Sequence, residues 1–232
     1  MSSVPDPPKA RVALVTGANR GIGFEVTRQL ASRGWRVFLG ARDYEKGAEA
    51  ARRLTGDVSP VALDVADPDA PFRLAASIGQ VDLLINNAGI HYDTWETALT
   101  ADWRIVREAF ETNLFGAWRM AQAFAPEMRA RGWGRIVNVS SGAGSLAAMG
   151  AGTPAYATSK AALNALTRVL AGELAGTGVL VNAVCPGWVA TDMGGAGGRP
   201  VADGAASVLW AVDVPDSGPS GGFFRDGRPV AW

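Results

Sequence analysis

A tyrosine and a lysine four residues apart, Tyr156 and Lys160, form the clearest catalytic candidate in the sequence. They lie in "AYATSK", and three good helix formers follow, so the pattern predicts a helix with both side chains on one face. A free tyrosine, with a pKa of about 10, is a poor base at neutral pH, whereas a nearby ammonium favours the phenolate. The pair therefore predicts assisted proton transfer. Without further context, the same spacing more often marks a helix surface.

The segments around this pair alternate between strand-like and helix-like patterns. Short runs rich in Val, Ile and Leu recur between amphipathic stretches, which is typical of a parallel sheet covered by helices on both faces. The pattern predicts an α/β fold, a three-layer, doubly wound parallel sheet of about seven strands. We expect a flexible segment at 1–10 and a single domain at 11–232. Ligands of such sheets bind beyond the carboxyl ends of the strands.

The first of these strand ends carries a glycine-rich loop, "TGANRGIG" at 16–23. Glycines let the backbone approach a pyrophosphate, and the N-terminus of the following helix offers free N–H groups and a positive dipole end. At the first strand-to-helix junction this favours a dinucleotide site over a simple tight turn. The residues predicted to hold the dinucleotide here are Gly17, Asn19, Arg20, Gly21, Ile22 and Gly23.

The end of the second strand predicts which dinucleotide is bound. A site selective for NAD usually has an acidic residue there for the ribose 2′-hydroxyl. This chain has Ala41 followed by Arg42, and Arg20 lies in the glycine loop. Two guanidiniums converging there would pair with a 2′-phosphate. The sequence therefore predicts NADP(H), with Asp43 capping the next helix rather than binding the cofactor.

Two further strand ends extend the predicted cofactor site. Asp64 and Val65 end the third strand, where a short polar side chain and a backbone N–H can hold an adenine edge. "NNAG" at 86–89 ends the fourth strand, and its small residues admit a flat ligand closely. The residues of this segment predicted to contact the cofactor are Asn87, Ala88 and Gly89.

Together with Asn113, "NVSS", "YATSK" and "NAVCPGWVATDM", these motifs resemble the classical short-chain dehydrogenase/reductase family almost end to end. Within it the chain is most similar to NADPH-dependent carbonyl reductases, through "ARD", "PGWVATDM" and the ending "PSGGFFRDGRPVAW". The resemblance implies a Rossmann-type NADP-binding catalytic domain. It also implies reversible reduction of a small-molecule ketone or aldehyde by hydride transfer.

The resemblance also assigns roles to individual residues. It implies that Tyr156 is the catalytic acid/base and that Lys160 is its partner and holds the nicotinamide ribose. The "NVSS" pair leaves Ser140 or Ser141 as the donor that orients the substrate, because neighbouring strand residues point to opposite faces. The family normally uses the second serine, hence Ser141. Asn113 matches the residue that supports a water-mediated proton path to the lysine.

The loop after the sixth strand, rich in glycine, is predicted to cover the nicotinamide and the substrate. Its residues predicted to contact the cofactor are Pro186, Gly187, Val189 and Thr191. Those predicted to line the substrate pocket are Trp188 and Met193, with His91 from the loop after "NNAG". Tyr92 and Trp95 follow His91 and are further candidates.

Composition excludes several other classes of function. The 22 basic and 22 acidic residues cancel, so no overall charge recruits nucleic acid or an anionic membrane. No apolar run is long enough to span a membrane, and the N-terminus lacks the apolar stretch of a signal peptide. One cysteine and one histidine do not make a conventional zinc site. We therefore expect a cytoplasmic protein without a metal.

Two alternative functions share this fold, since fold alone does not fix function. A catalytically silent NADP-sensing regulatory protein would be expected to lose the tyrosine or the lysine, and both are present. An epimerase or dehydratase would usually carry an additional C-terminal substrate region. The resemblance leaves the assembly open, because relatives include homodimers, homotetramers and monomers.

Overall fold

The computed structural model describes residues 10–232, so the predicted flexible segment 1–10 lies outside the described residues except for Ala10. Its centre is a mostly parallel sheet of eight strands in the order β3-β2-β1-β4-β5-β6-β7-β8, as expected for a Rossmann-type fold. The strands are β1 (Val12–Val15), β2 (Arg36–Ala41), β3 (Val58–Ala62), β4 (Leu83–Asn86), β5 (Gly134–Val139), β6 (Val179–Val184), β7 (Phe223–Arg225) and β8 (Arg228–Pro229).

The sheet has eight strands, one more than the seven predicted from the sequence. The last apolar segment of the chain forms a hairpin rather than one strand, with β7 and β8 antiparallel. Its two-residue turn is Asp226–Gly227, with φ angles of 50° and 76°. Two consecutive positive φ angles suit a tight hairpin turn, for which Asp-Gly is a preferred sequence. The "RDGR" segment therefore reverses the chain.

Helices cover both faces of the sheet and form the outer two layers. One apolar core packs α3, α5 and α6 against one face, and a second packs α1, α2 and α7 against the other. The helices are α1 (Gly21–Ser32), α2 (Tyr44–Arg52), α3 (Ala70–Ile78), α4 (Trp103–Phe110), α5 (Ala117–Arg131), α6 (Pro154–Glu173) and α7 (Val201–Val212). Within the described residues, no helix is long and apolar enough to cross a membrane.

The helical region predicted over 103–131 contains an irregularity. A π-helical turn, Glu111–Gly116, lies between α4 and α5 and contains Asn113. Such turns are rare and occur frequently at functional sites. The close approach of Gly116 to Val65 also requires a residue without a side chain, since a Cβ there would lie 2.8 Å from a Val65 methyl carbon. The register of Asn113 is therefore set by a feature that helical periodicity does not reveal.

The strand order reverses around β1 and β4, the position at which doubly wound sheets bind ligands. Side chains join the two loops that begin there. Asn87, after β4, donates its backbone N–H to the Thr16 hydroxyl at 3.0 Å and its side-chain amide to the Thr16 carbonyl at 2.9 Å. The glycine loop and the "NNAG" segment therefore form one connected wall.

Candidate functional site

A cleft of about 730 Å³ lies at the carboxyl ends of the parallel strands. It brings together most of the residues predicted from sequence, from six different loops and helices. The predicted residues that line it are Gly17, Asn19, Arg20, Gly21, Ile22, Arg42, Asp64, Val65, Asn87, Ala88, Gly89, Tyr156, Lys160, Pro186, Thr191 and Met193.

Three residues predicted to contact the cofactor are not among those that line the cleft. Gly23 packs under the glycine loop, where a Cβ would lie 2.5 Å from the Asn87 amide nitrogen. Gly187 lies against the Arg199 side chain. Val189 is buried and forms an isolated bridge with Arg199. These residues shape the wall rather than line it.

Two of the predicted substrate residues also lie outside the lining of the cleft. The imidazole of His91 is bonded to Glu108 on α4, with Nε2 and Oε2 2.6 Å apart, and this bond lowers the pKa of Glu108. Trp188 is largely exposed and donates its indole N–H to the Gly194 carbonyl at 2.7 Å. The hydrogen bond to Glu108 ties His91 to α4, and the hydrogen bond to Gly194 holds Trp188 within its own loop. Met193 is the one of the three predicted residues that lines the cleft.

The glycine loop fits a pyrophosphate group. Gly17 has a φ of +61°, and a Cβ there would lie 2.9 Å from the Ala88 Cα. Gly21 has a φ of +57° and is the first residue of α1. Glycine is therefore required at Gly17 for the backbone to turn close to the "NNAG" segment, and the positive φ of Gly21 favours glycine there. The free N–H groups at the start of α1 remain available to an anion.

The two arginines predicted to select NADP differ in their surroundings. Arg42 lines the cleft, and the neighbouring Asp43 caps α2 as predicted, accepting a hydrogen bond from the Lys46 N–H at 3.2 Å. Arg20 instead pairs with Asp192 of the loop after β6, at 2.7 Å. Both side chains of that pair are more than 70% exposed, so it contributes little to stability. The pair spans the mouth of the cleft.

Tyr156 and Lys160 lie at the inner end of the cleft, both buried. Lys160 Nζ donates a hydrogen bond to the Val139 carbonyl at 2.7 Å and lies 5.7 Å from the centroid of the Tyr156 ring. Burial raises the pKa of Tyr156 to about 12 and lowers the pKa of Lys160 to about 8. The expectation that the lysine lowers the tyrosine pKa is not met, because removal from water disfavours both charged forms. Tyr156 is therefore a protonated phenol at neutral pH.

The two serines of "NVSS" point to different surroundings. A hydrogen bond with Ser141 opposes the effect of burial on Tyr156, lowering the pKa of the phenol. Ser141 also accepts the Ala143 N–H at 3.2 Å. Ser140 lines the cleft, and its buried hydroxyl has no partner among the described residues. Ser141 thus accompanies the tyrosine, while Ser140 offers an unused hydrogen-bonding group to whatever occupies the cleft.

Asn113 is buried and connects the π-helical turn to the "NNAG" loop. Its side chain exchanges hydrogen bonds with the backbone of Ile90, accepting from N–H at 2.9 Å and donating to the carbonyl at 3.2 Å. It also donates to the Ser159 hydroxyl at 2.9 Å, one residue before Lys160. A Cβ on Gly89 would lie 3.5 Å from both Asn113 Oδ1 and Lys160 Nζ, so these polar atoms face a common space.

Asp93 is a site residue that sequence reasoning missed. It is fully buried and accepts the backbone N–H groups of Ala155 at 2.9 Å and Tyr156 at 3.1 Å. The residue before α6, Thr153, makes no side-chain cap and has a φ of 45°. Asp93 therefore caps α6 from the loop after β4. The preceding residue, Tyr92, packs edge-on against the Tyr156 ring, with centroids 5.2 Å apart.

Comparison with known proteins gives a consistent match. The family described as short chain dehydrogenase matches residues 11–199. (+)-Neomenthol dehydrogenase of Arabidopsis thaliana is 36% identical over 284 residues, covering 92% of this chain and 95% of the relative. Acetoacetyl-CoA reductase of Cupriavidus necator is 40% identical over 192 residues, covering 79% and 76%. The solved structure of NADPH-bound carbonyl reductase from chicken fatty liver has a TM-score of 0.84 and 31% identity, covering 96% of this chain and 99% of that one.

Proposed function

Since this chain belongs to the short-chain dehydrogenase family, an oxidoreductase family acting on CH–OH and carbonyl groups, we propose that it is an NADPH-dependent reductase of a ketone or aldehyde. The observation that carries the proposal is the position of Tyr156. A buried phenol with a raised pKa stands beside Ser141 and within reach of a buried ammonium, in a cleft with a phosphate-binding loop.

The proposed cofactor is held by groups that line the cleft. The α1 N-terminus and the glycine loop receive the pyrophosphate, and Asp64 and Val65 receive the adenine. Arg42 pairs with the 2′-phosphate, joined by Arg20 when it leaves Asp192, since that exposed ion pair is weak. Asn87, Ala88, Gly89 and the Ser140 hydroxyl lie along the inner part of the cleft. NADPH bound there supplies the hydride that reduces the carbonyl carbon.

Proton delivery is the contribution of the chain's own residues. Ser141 donates a hydrogen bond to the carbonyl oxygen and holds it beside Tyr156, which stabilises the negative charge that develops on that oxygen. The Tyr156 hydroxyl then transfers its proton to the oxygen, and the raised pKa keeps that proton in place until it is needed. Lys160 Nζ, with a pKa of about 8, is mostly an ammonium at neutral pH and stabilises the resulting phenolate.

Asn113 and Asp93 support these groups without touching the substrate. Asn113 holds the loop at Ile90 and faces the space shared with Lys160, where a water-mediated path would resupply the proton. Asp93 fixes the backbone from which the Tyr156 ring projects. The competing function, a silent NADP-binding regulator, has no need of this arrangement.

NADPH oxidation with a panel of ketones and aldehydes tests the proposal, comparing the wild type with Tyr156→Phe and running NADH in parallel. We expect turnover that prefers NADPH and falls about 10²–10⁴-fold in the variant, the usual contribution of a general acid. Tight NADPH binding without turnover of any carbonyl compound would favour the regulator instead. Turnover that survives loss of the hydroxyl would contradict the mechanism.

A further inference from the structure

The turn that follows Ser141 lies directly against α6 at the position of Lys160. It is a short 3₁₀ turn, Gly142–Gly144. A Cβ on Gly144 would lie 2.8 Å from the Lys160 carbonyl carbon, so the turn touches the helix backbone at this point. Asn164, one helical turn later, donates its side-chain amide to the Gly144 carbonyl at 3.0 Å. α6 therefore holds the turn from the side of the proton donor.

A distant part of the chain, the 230–232 segment that follows the β7–β8 hairpin, holds the residues just beyond this turn. The hydroxyl of the buried Ser145 donates to the Ala231 carbonyl at 2.6 Å. The Ala147 N–H donates to the Trp232 backbone oxygen at 2.8 Å. The backbone between the two proposed catalytic hydroxyls is thus bonded to the end of the sheet that bears β7 and β8.

Trp232 anchors the 230–232 segment to the fold. Its ring stacks on the buried Phe223 ring of β7, with centroids 5.6 Å apart and planes at 26°. The Arg168 guanidinium of α6 lies 5.6 Å from the centroid of the Trp232 ring. In addition, the Val230 N–H donates to the Phe223 carbonyl at 2.8 Å. One side chain therefore contacts both the sheet and the helix that carries the proton donor.

We propose that the 230–232 segment positions Ser141 for the reaction, with Ser145 and Trp232 as its positioning residues. The inference rests on the proposed function, in which Ser141 donates to the carbonyl oxygen of the substrate. Loss of these contacts frees the residues beyond the turn, and the Ser141 hydroxyl then gains freedom relative to the Tyr156 phenol. A displacement of about 1 Å at a reacting group can lower a rate about 10²-fold.

Trp232→Ala removes the anchor, and Trp232→Phe keeps an aromatic ring on Phe223. Trp35→Ala is the matched control, because Trp35 is also partly buried with an arginine over its ring, Arg11 at 5.8 Å, but precedes β2 at the end of the sheet away from the cleft. With 4-tert-butylcyclohexanone, Trp232→Ala should lower kcat about 10–100-fold and leave the KM for NADPH nearly unchanged. Trp232→Phe and Trp35→Ala should keep kcat close to wild type.

Ser145→Ala tests the link to Ser141 through a double-mutant cycle. Alone it should lower kcat about tenfold. In a Ser141→Ala background it should change kcat by less than about twofold, because the group that it positions is absent. Ser77→Ala, which removes a hydroxyl bonded to the Leu74 carbonyl at 2.9 Å in α3, should have no effect in either background. Equal losses from Ser145→Ala in both backgrounds would overturn the inference.

Hydrogen exchange provides a readout that does not depend on turnover. Mass spectrometry of the NADPH-loaded protein should show faster exchange of the 142–147 amides in Trp232→Ala than in Trp35→Ala. Unchanged exchange in Trp232→Ala, or an unchanged kcat when the wild type reduces the ketone, would contradict the inference alone. Faster exchange in Trp232→Ala, when the wild type reduces no carbonyl compound, would support the contacts of the 230–232 segment while contradicting the proposed function.

Discussion

The carboxylate of Asp93 accepts a hydrogen bond from the backbone N–H of Tyr156, 3.1 Å away. A second hydrogen bond from the Ala155 N–H makes it the cap of α6. The loop that follows the "NNAG" segment therefore fixes the first turn of the helix that carries both Tyr156 and Lys160. The loop after β4 and the proposed proton donor are therefore coupled through one buried side chain.

Asp93→Ala removes both acceptors and leaves two N–H groups at the start of α6 without their partner. We expect a loss of about 1–3 kcal/mol in the free energy of unfolding and a lower kcat, with the KM for NADPH nearly unchanged. Urea denaturation and steady-state kinetics measure the two effects. Asp93→Asn keeps one acceptor oxygen and should be intermediate.

Asp57→Ala serves as the surface control for that experiment, since this carboxylate is 65% exposed and lies 3.9 Å from Arg36. It should leave stability and kcat close to wild type. A kcat for Asp93→Ala equal to that of the control would show that the cap does not position Tyr156.

The two serines of "NVSS" provide a matched pair. Ser141→Ala removes the donor beside Tyr156 and should lower kcat by about 10²-fold or more, as for the loss of one donor to a developing oxyanion. Ser140→Ala should keep kcat close to wild type and weaken the binding of NADPH, because its hydroxyl lines the cleft. Kinetics and NADPH fluorescence titration separate the two outcomes. The reverse pattern would assign the substrate to Ser140.

Arg42→Ala should reduce the preference for NADPH over NADH by roughly 10–100-fold, the value of one charge-assisted hydrogen bond. Its effect should appear in the KM for NADPH and leave the KM for NADH almost unchanged. Arg52→Ala, an exposed arginine at the end of α2, is the control. An equal loss with both cofactors would show that Arg42 supports the fold of the cleft and does not contact the phosphate.

Lys160→Met separates two effects of the buried ammonium, the stability it costs the folded protein and its role in catalysis. Because burial lowers the pKa of Lys160 from 10.5 to about 8, the folded protein holds a desolvated ammonium at pH 7. We expect the variant to be inactive in the NADPH assay. Without cofactor, its free energy of unfolding at pH 7 should be higher than that of the wild type by about 1–3 kcal/mol, as for other buried charges replaced by apolar groups.

The pH dependence of this gain follows from proton linkage. Between about pH 8 and 10.5 the unfolded lysine binds more protons than the folded one, so the stability of the wild type relative to the variant rises with pH in that window. Denaturation at pH 7 and pH 9.5 should show that the stability advantage of Lys160→Met over the wild type is smaller at the higher pH. A variant less stable than the wild type at pH 7 would mean that the hydrogen bond to Val139 outweighs desolvation.

Sequence predicted the parts of this site that depend on short, local motifs. The glycine loop, "NNAG" and the Tyr156–Lys160 spacing each follow from one strand end or one helical turn, and the parallel sheet brings them together. Asp93 could not be predicted in this way, because its partners are 62 and 63 residues away. The sequence instead offers Thr153, a preferred capping residue, in front of Pro154, and only the fold shows that its side chain makes no cap.

Electrostatics was the least predictable property. The expectation of a lowered tyrosine pKa considered the charge of Lys160 and omitted the burial of both groups, which sequence does not quantify. Likewise, the predicted pairing of Arg20 with a phosphate omitted Asp192, a residue of the loop after β6 that lies 2.7 Å from Arg20 in the folded chain. The hairpin of β7 and β8, in contrast, could have been predicted from "RDGR", since Asp-Gly is a known turn signal.

The central claim is hydride transfer from NADPH to a carbonyl carbon in this cleft. Reduction of 4-tert-butylcyclohexanone or 2-butanone with NADPH that carries deuterium at both C4 positions of the nicotinamide tests it directly, with mass spectrometry of the alcohol. The account predicts one deuterium on the carbinol carbon in the wild type, and about 10²–10⁴-fold slower incorporation in Tyr156→Phe. Alcohol formed without deuterium, or bound NADPH with no alcohol from any carbonyl compound, would contradict it.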